Sequence, residues 1–412
     1  MSPTSPLRHV MLNGVLQQHA VSSNGKYADL LGAVPIADPM SIPSNDQTLR
    51  KLLKKLTTDD VLDEEFALIP NRRMSAGVST SQKPENLKRN RSRSIVPYED
   101  TRIMLHSKQS NPTGYINASN IQIPIGNRLL RYILAQAPLP DTIEDFWQMI
   151  WESGTQLIVM LCDAQDFKNT AIPIYWPQKL MAKLQLSDHS VMLLSNTISK
   201  HQITMIFQLS NNISGERRTI YHLRLMGWIT GGIPADVNSF LGFMDAVNSV
   251  RRHLENELLN ETNYGNVNFS KKTRNNSQLN LTDLTNRNNR TNTNNDFGYY
   301  NWCKKGLHMV NNALHYSPSN TVSNECSSAE SSGFIGSEMP ATVIHCLTGS
   351  HESGVYLLIE LLIHCIEHNM SIDIGKTLAL LRQQRMCLVK TVEQYRFVYS
   401  AVINYLQKSR LI

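Results

Sequence analysis

A segment near residue 345 combines a cysteine with the elements of an anion-binding loop. The apolar run 341–344 leads into His345 and Cys346, a short loop follows, and Gly354 begins a long apolar stretch. In a strand–loop–helix arrangement, the loop amides and the helix N-terminus point to one spot and favour an anion. A cysteine there would have a lowered pKa and could act as a nucleophile, whereas a buried cysteine at a strand end is the simpler interpretation. The intervening residues are Leu347, Thr348, Gly349, Ser350, His351, Glu352 and Ser353.

The elements around this segment mix strands with helices. Apolar or alternating β-favouring residues predict strands at 132–134, 156–161, 203–208 and 219–225. Apolar residues at helical spacing predict helices at 143–151, 240–254, 354–368, 374–385 and 392–407. This mixture predicts an α/β fold with a central twisted mixed sheet flanked by helices, and with the cysteine loop between a strand and a helix N-terminus.

The sequence divides into a polar N-terminal region and one folded domain. Residues 1–59 are expected to be disordered, except for a short amphipathic helix near 46–57 with leucines on one face and lysines on the other. That helix would bind a membrane surface or a partner, or it would dock on the main domain, which is the favoured interpretation. The domain is expected to span 60–412 and to contain a disordered Asn- and Ser-rich insertion at about 256–340.

Composition excludes several classes of protein. The chain has 412 residues and a net charge of +6, too small for this length to indicate nucleic-acid binding, and the basic run 88–93 is interpreted as a solvated face. No apolar run reaches about 18 residues, so no transmembrane segment is expected, and the N-terminus lacks the pattern of a signal peptide. The six cysteines lack Cys-x-x-Cys spacing, so we expect reduced thiols and neither a metal site nor disulfides.

Many segments of the sequence resemble the classical protein tyrosine phosphatases, from about residue 60 to the end. Residues 345–354, hereafter the signature loop, resemble the family's His-Cys-x5-Arg loop. The resemblance implies the tyrosine-phosphatase fold and a chemistry of side chains alone, with no metal or organic cofactor. Further family-like segments lie at 84–93 (hereafter the recognition loop, for phosphotyrosine), 96–103, 113–119, 132–139, 145–152, 175–177, 383–385 and 394–399.

Within the family, the sequence is most similar to the Pez-type branch, the non-receptor phosphatases that carry an N-terminal FERM domain. This likeness rests on residues 249–253, 361–369 and 406–412. We find no FERM-like stretch in this sequence, and we therefore expect a short form or a fragment of a longer protein.

The resemblance implies a two-step reaction, from which the sequence departs at the catalytic positions. In the family, a cysteine thiolate attacks phosphotyrosine, an aspartic acid protonates the leaving phenolate, and an arginine clamps the phosphoryl oxygens. Cys346 keeps the nucleophile position and Ser353 keeps the loop hydroxyl, but Glu352 occupies the arginine position. At ~4 Å and an effective dielectric constant of ~20, each unit charge pair contributes roughly 4 kcal/mol, so this change of sign opposes phosphate binding. We also expect the carboxylate to raise the pKa of Cys346.

Other positions around the expected pocket also differ from the family. In residues 228–234, hereafter the acid loop, Thr230 stands at the position of the general-acid aspartate, and the nearby Asp236 is not expected to replace it. Lys390 matches the water-positioning glutamine. We expect either an ion pair between Glu352 and Lys390 or two independent surface charges. Ser92, beside Arg93, stands at the position of an aromatic residue in the recognition loop, and Ala171 stands at a lysine position. His351 stands at a glycine position of the signature loop, where its side chain would crowd the site or strain the backbone.

These departures predict a catalytically impaired tyrosine-phosphatase-like protein, a pseudophosphatase that acts as a binding or scaffolding module in phosphotyrosine signalling. The alternative is an active protein-tyrosine phosphatase that hydrolyses phosphotyrosine through a phosphocysteine intermediate at Cys346. The resemblance implies phosphotyrosine-bearing, junction or cytoskeletal proteins as partners, and a monomeric domain is expected. It also implies a cytoplasmic location that extends to the cell cortex, the cytoskeleton or the nucleus.

Overall fold

The computed structural model describes residues 46–125, 128–163, 167, 172–264 and 339–409, and for 260–264 it describes the backbone alone. The predicted disorder of residues 1–45 and the greater part of the predicted insertion lie outside the described residues, as does Ala171.

A nine-stranded mixed sheet forms the centre of the domain. Its strands are β1 (Arg102–Met104), β2 (Tyr115–Ile125), β3 (Arg128–Gln136), β4 (Leu157–Met160), β5 (Lys183–Gln185), β6 (His189–Ile198), β7 (Gln202–Asn211), β8 (Arg217–Leu225) and β9 (Thr342–Cys346). Their order across the sheet is β1-β2-β3-β9-β4-β8-β7-β6-β5. β9 runs parallel to β3 and β4, and β4 runs parallel to β8, whereas the other neighbours are antiparallel. The predicted α/β fold with a central mixed sheet is confirmed.

Helices flank this sheet. They are α1 (Gln47–Thr57), α2 (Val61–Leu68), α3 (Ser79–Gln82), α4 (Pro84–Leu87), α5 (Ile143–Glu152), α6 (Val237–Tyr264), α7 (His351–Glu367), α8 (Ile374–Arg382) and α9 (Val392–Ser409). α6 continues through Tyr264, so the predicted start of the insertion near residue 256 is wrong at this end. α7 begins at His351 rather than at Gly354, and the last residues of the signature loop therefore form its first turn.

The core lies on both faces of the sheet, and the central strands are buried on each side. All residues of β4 and β9 are buried, as expected for parallel strands covered by helices. Along β9, Ile344 and Cys346 join the apolar cluster that contains α7 and α9, whereas Val343 joins the cluster that contains α5. Because successive side chains of a strand point to opposite faces, Cys346 is directed toward the helix that follows it.

The N-terminal helix α1 packs on the domain. Asp46 Oδ1 caps it by accepting a hydrogen bond from Leu49 N at 2.9 Å. Leu49, Leu52 and Leu53 are buried in the same apolar cluster as α9. The leucine face is therefore covered by the protein's own core, and the helix is docked on the domain.

Among the residues that the structure describes, no helix combines the length and the apolar character that are needed to span a bilayer.

Candidate active site

The signature loop connects β9 to α7 and closes against the neighbouring strand. Ala137 N donates a hydrogen bond to Cys346 O at 2.8 Å, and Leu161 N donates one to His345 O at 2.8 Å. Gly349 has a φ of +69°, and a Cβ added there would overlap the backbone carbonyl of Ala135. Glycine is therefore required at this position both for its left-handed conformation and for the close approach to β3.

The buried guanidinium of Arg385 holds the signature loop in place. Its Nε donates to Gly349 O at 2.6 Å, and its Nη2 donates to Thr348 O at 3.0 Å. The same side chain reaches Ser119 Oγ on β2 at 3.0 Å, so it links the loop to the sheet. The sequence indicated residues 383–385 as family-like, but it did not indicate that Arg385 orders the loop.

Two buried histidines share one tyrosine beneath the loop. Tyr175 Oη lies 2.7 Å from His345 Nε2 and 2.8 Å from His222 Nε2. Burial lowers the pKa of His222 to about 3, and it holds the pKa of His345 well below its ordinary value. Both rings are therefore neutral at pH 7. The sequence did not indicate a role for His222, because the residue lies within a strand pattern of alternating apolar and polar residues and belongs to no motif.

The Cys346 side chain is fully buried and remains a thiol at neutral pH. Burial, and then the Glu352 carboxylate, raise the pKa of Cys346 to about 11, while interactions with Ser353 act in the opposite direction. The lowered pKa expected from the loop alone is therefore wrong, and the increase expected from Glu352 is found. The thiolate that a phosphatase reaction needs is disfavoured here.

Glu352 lies fully buried in the first turn of α7 and contacts the acid loop. Its Oε1 accepts a hydrogen bond from Gly231 N at 2.7 Å. The carbonyl oxygen of the neighbouring Gly232 accepts two further hydrogen bonds, from Gln394 Nε2 and from Trp228 Nε1, each at 3.0 Å. The acid loop is thereby attached to α7 and to α9. An acidic residue near the start of a helix is also favoured by the helix dipole.

The expected ion pair between Glu352 and Lys390 is not among the salt bridges of the described part of the chain. The Lys390 side chain is exposed, whereas Glu352 is buried and bonded to Gly231. The alternative of two surface charges is also wrong, since only Lys390 lies at the surface. The Lys390 backbone N–H donates to Gln394 Oε1 at 2.8 Å.

Neither Thr230 nor Asp236 offers a general acid in this structure. Thr230 Oγ1 is buried and has no hydrogen-bond partner within the described residues. Asp236 caps α6, where its Oδ2 accepts a hydrogen bond from Ser239 N at 2.9 Å. The Ser239 hydroxyl, which donates to the same oxygen, and then this backbone bond lower the pKa of Asp236.

The other signature-loop positions fit closely packed surroundings. His351 lies in the first helical turn of α7 without a positive φ, so the predicted backbone strain is not found. It is buried, and burial together with the charge of Lys390 lowers its pKa to about 4. At Gly354, an added Cβ would lie 2.7 Å from Val389 N, so this position is restricted to glycine by packing. Leu347 is partly exposed, and Ser350 and Ser353 are buried.

The recognition loop presents small and basic side chains at the position where the resemblance predicts the loss of an aromatic ring. Ser92 is partly exposed, and its hydroxyl lies 2.9 Å from Ser94 Oγ, while Arg93 is exposed. Two of the neighbouring basic residues serve the fold, because Arg89 forms a buried ion pair with Asp145 and Arg91 Nε donates to Ala137 O at 2.7 Å. The basic run is therefore only partly available to a ligand.

Comparisons with known proteins agree with this fold. A family model described as "Protein-tyrosine phosphatase" matches residues 86–262 and 253–404. Tyrosine-protein phosphatase non-receptor type 14 of Mus musculus and that of Homo sapiens are each 32% identical over 379 residues, which cover 89% of this chain. Tyrosine-protein phosphatase non-receptor type 21 of Rattus norvegicus is 29% identical over 371 residues, 90% of this chain. The chain spans 25% of the length of each of these relatives. The chain belongs to the protein-tyrosine phosphatase family and, within it, to the Pez-type non-receptor branch.

Proposed function

We propose that this chain is a catalytically impaired tyrosine-phosphatase-like protein that acts as a binding or scaffolding module in phosphotyrosine signalling. The observation that carries the proposal is the buried Glu352 carboxylate, which stands at the family's arginine position and is bonded to Gly231 N at 2.7 Å. An anion held inside the pocket by the protein's own backbone opposes the entry of a second anion.

The electrostatic cost of binding phosphate supports this proposal. At ~4 Å and an effective dielectric constant of ~20, one unit charge pair contributes roughly 4 kcal/mol. Replacing an attractive arginine with a repulsive glutamate changes both the sign and the bidentate geometry of the clamp. The combined loss of several kcal/mol is enough to prevent both substrate binding and stabilisation of the transition state.

The protonation of Cys346 and the composition of the acid loop support the same conclusion. With a pKa of about 11, the Cys346 thiol is ionised in only about one molecule in 10⁴ at pH 7. Thr230 cannot donate a proton to a leaving phenolate at this pH, and loss of a general acid typically costs about 10²–10⁴-fold in rate. Nucleophile, clamp and acid are thus impaired together.

Scaffolding through protein–protein contacts is favoured over capture of phosphotyrosine, because the pocket itself repels the phosphate. The partners that we propose are phosphotyrosine-bearing, junction or cytoskeletal proteins, and the proposed location is the cytoplasm, with the cell cortex and the nucleus as further sites.

A turnover assay and a calorimetric titration with one phosphotyrosine peptide test the proposal. We expect the unmodified chain to release no phosphate above the level of a Cys346→Ser variant and to bind the peptide too weakly to titrate. A Glu352→Gln variant removes the charge, Glu352→Arg restores the clamp, and both should bind the peptide more tightly. Glu393→Arg makes the same charge change at an exposed position of α9 and should have no effect.

The alternative, an active phosphatase that forms a phosphocysteine at Cys346, is favoured by the ordered signature loop. The Gly349 conformation and the Arg385 contacts hold a loop backbone that is suited to surround a phosphate. Phosphate release by the unmodified chain that disappears in Cys346→Ser would establish this alternative and overturn the pseudophosphatase proposal.

A further inference from the structure

The C-terminal end of α7 carries three side chains that are typical metal ligands. His364, Glu367 and His368 follow the spacing His-x-x-Glu-His, which places them on one face of a helix. Each offers one ligand atom, and these atoms all lie within 4.8 Å of one another. They form a set of two imidazoles and one carboxylate, hereafter the α7 C-terminal site.

The two imidazole rings are held side by side. Their centroids are 4.1 Å apart, with 36° between the ring planes. His368 Nδ1 lies 2.8 Å from His364 O, and because a carbonyl only accepts, Nδ1 carries the proton. Nε2 is then the ligating nitrogen of the neutral ring. Hydrogen bonds of this kind from the second nitrogen to a backbone carbonyl orient many metal-binding histidines.

The carboxylate of the site is also oriented by a neighbour. Tyr405 Oη on α9 donates a hydrogen bond to Glu367 Oε1 at 2.9 Å. Glu367 is exposed and both histidines are partly exposed, so an ion can reach the three ligands from solvent.

The local charges permit a cation at this position. The C-terminal end of a helix carries a partial negative charge, which favours a positive ion. Two arginines are close enough to influence His364, but each has an acidic partner. Arg251 forms an ion pair with Glu360, and Arg128 lies 3.8 Å from Glu255.

We propose that His364, Glu367 and His368 bind a divalent transition-metal ion, with Zn²⁺ as the expected ion. Imidazole and carboxylate ligands suit zinc, whereas magnesium and calcium prefer sets of oxygen ligands. Three protein ligands leave the fourth tetrahedral position to water or to a side chain of a partner protein. His364 lies about 18 Å along α7 from Glu352, at about 1.5 Å per residue, so this site is separate from the signature loop.

Cys-x-x-Cys spacing does not mark this site, so the cysteine pattern of the sequence did not predict it. The signal that was present is the pair of histidines four residues apart, with a glutamate between them, at the end of an apolar helix. The expectation that the chain has no metal site is therefore replaced by this proposal.

The test is a calorimetric titration of the full, chelator-treated chain with Zn²⁺, repeated with Co²⁺ while its visible absorption is recorded. We expect one Zn²⁺ ion to bind at this site and Co²⁺ to give the intense bands of a four-coordinate ion. A His364→Ala/His368→Ala variant should bind at least about 100-fold more weakly, because it loses two ligands. Glu367→Gln replaces a ligand carboxylate and Tyr405→Phe removes the hydrogen bond that orients it. Each should weaken binding by about tenfold or more, since loss of an orienting neighbour alone costs about 10–100-fold.

The matched control replaces two histidines elsewhere. A His106→Ala/His201→Ala variant removes the same number of imidazoles from partly or fully exposed positions of the described chain and should leave this binding unchanged. Zn²⁺ should also raise the unfolding temperature of the unmodified chain and of this control, but not that of the α7 double variant. Equal Zn²⁺ affinity in the α7 double variant and its parent, or no binding by the parent, would overturn the proposal. If the double variant does not fold, the Zn²⁺ affinity of Glu367→Gln is compared with that of the parent instead, and equal affinities would likewise overturn the proposal.

Discussion

Glu352 Oε1 accepts a hydrogen bond from Gly231 N at 2.7 Å, and this bond joins the signature loop to the acid loop across 121 positions of sequence. Glu352 thus contributes to the contact between the two loops. A buried carboxylate is costly without hydrogen-bond donors, and the Gly231 amide supplies one. Glu352 and the acid loop are therefore parts of one hydrogen-bonded arrangement.

The first prediction concerns the mobility of the acid loop. Glu352→Ala should increase amide hydrogen exchange at Gly231 by about 10- to 100-fold, because a hydrogen bond to a charged group contributes about 1.5–3 kcal/mol. Glu352→Gln keeps an acceptor oxygen and should show a smaller increase. NMR-detected exchange measures both.

A control for this prediction removes a carboxylate acceptor elsewhere. Asp373 Oδ1 accepts a hydrogen bond from Lys376 N at 2.9 Å at the start of α8, so Asp373→Ala should affect that helix and leave Gly231 unchanged. Equal exchange at Gly231 in Glu352→Ala and the parent would show that the bond does not hold the loop.

The second prediction concerns the ionisation of Cys346. Glu352→Gln should lower the pKa of Cys346 from about 11, but not to its ordinary value, because burial is the larger cause of the increase. Thiolate absorbance near 240 nm, measured as the difference between Glu352→Gln and Glu352→Gln/Cys346→Ser, gives this pKa. A pKa that does not change on removal of the carboxylate would contradict the proposed coupling.

The third prediction is the effect of this thiol on stability. A thiol whose pKa is raised on folding favours the folded state below its unfolded pKa of about 9, and this contribution is lost as the pH rises through about 11. A difference of two pKa units corresponds to at most about 3 kcal/mol. Chemical denaturation between pH 7 and pH 11 should therefore show a smaller loss of stability in Cys346→Ser than in the parent. An equal change in the free energy of unfolding with pH in the two proteins would show that the Cys346 thiol does not make this contribution.

The fourth prediction separates Lys390 from Glu352. Because Lys390 is exposed, Lys390→Ala should change the free energy of unfolding by less than about 0.5 kcal/mol. In a double-mutant cycle with Glu352→Gln, the two effects should add within about 0.5 kcal/mol. A coupling energy above about 1 kcal/mol would restore the ion pair that the sequence suggested.

The fifth prediction concerns the loop backbone. Gly349→Ala should destabilise the domain by about 3 kcal/mol or more, because the new Cβ overlaps the backbone of Ala135 in addition to the strain of a positive φ. Gly215 has a similar φ of +73° but no atom within 4 Å of an added Cβ. Gly215→Ala should therefore lower the free energy of unfolding by only about 1 kcal/mol. Urea denaturation measures both variants, and equal losses of stability would contradict the prediction.

Much of the fold could be predicted from the sequence, because hydrophobic periodicity and family-like segments are local properties. The helices at 143–151 and 392–407 differ from α5 and α9 only at their ends. α6 was predicted too short, because its last turns are polar and resemble the Asn-rich sequence that follows. Polarity alone does not distinguish a solvated helix end from a loop.

The residue types at the motif positions, Glu352 and Thr230, could be read from the sequence without coordinates, and they are the basis of the prediction that the catalytic groups are lost. Only the tertiary structure decided what those residues contact. Glu352 bonds to Gly231 rather than pairing with Lys390 because its position in the first turn of α7 directs it into the interior, where the acid loop lies. In the same way, the meeting of Tyr175 with His222 and His345 depends on separate segments that the folded sheet brings together. Hydrogen-bond partners are set by distances between parts of the chain that are remote in sequence, and the local sequence pattern does not contain those distances.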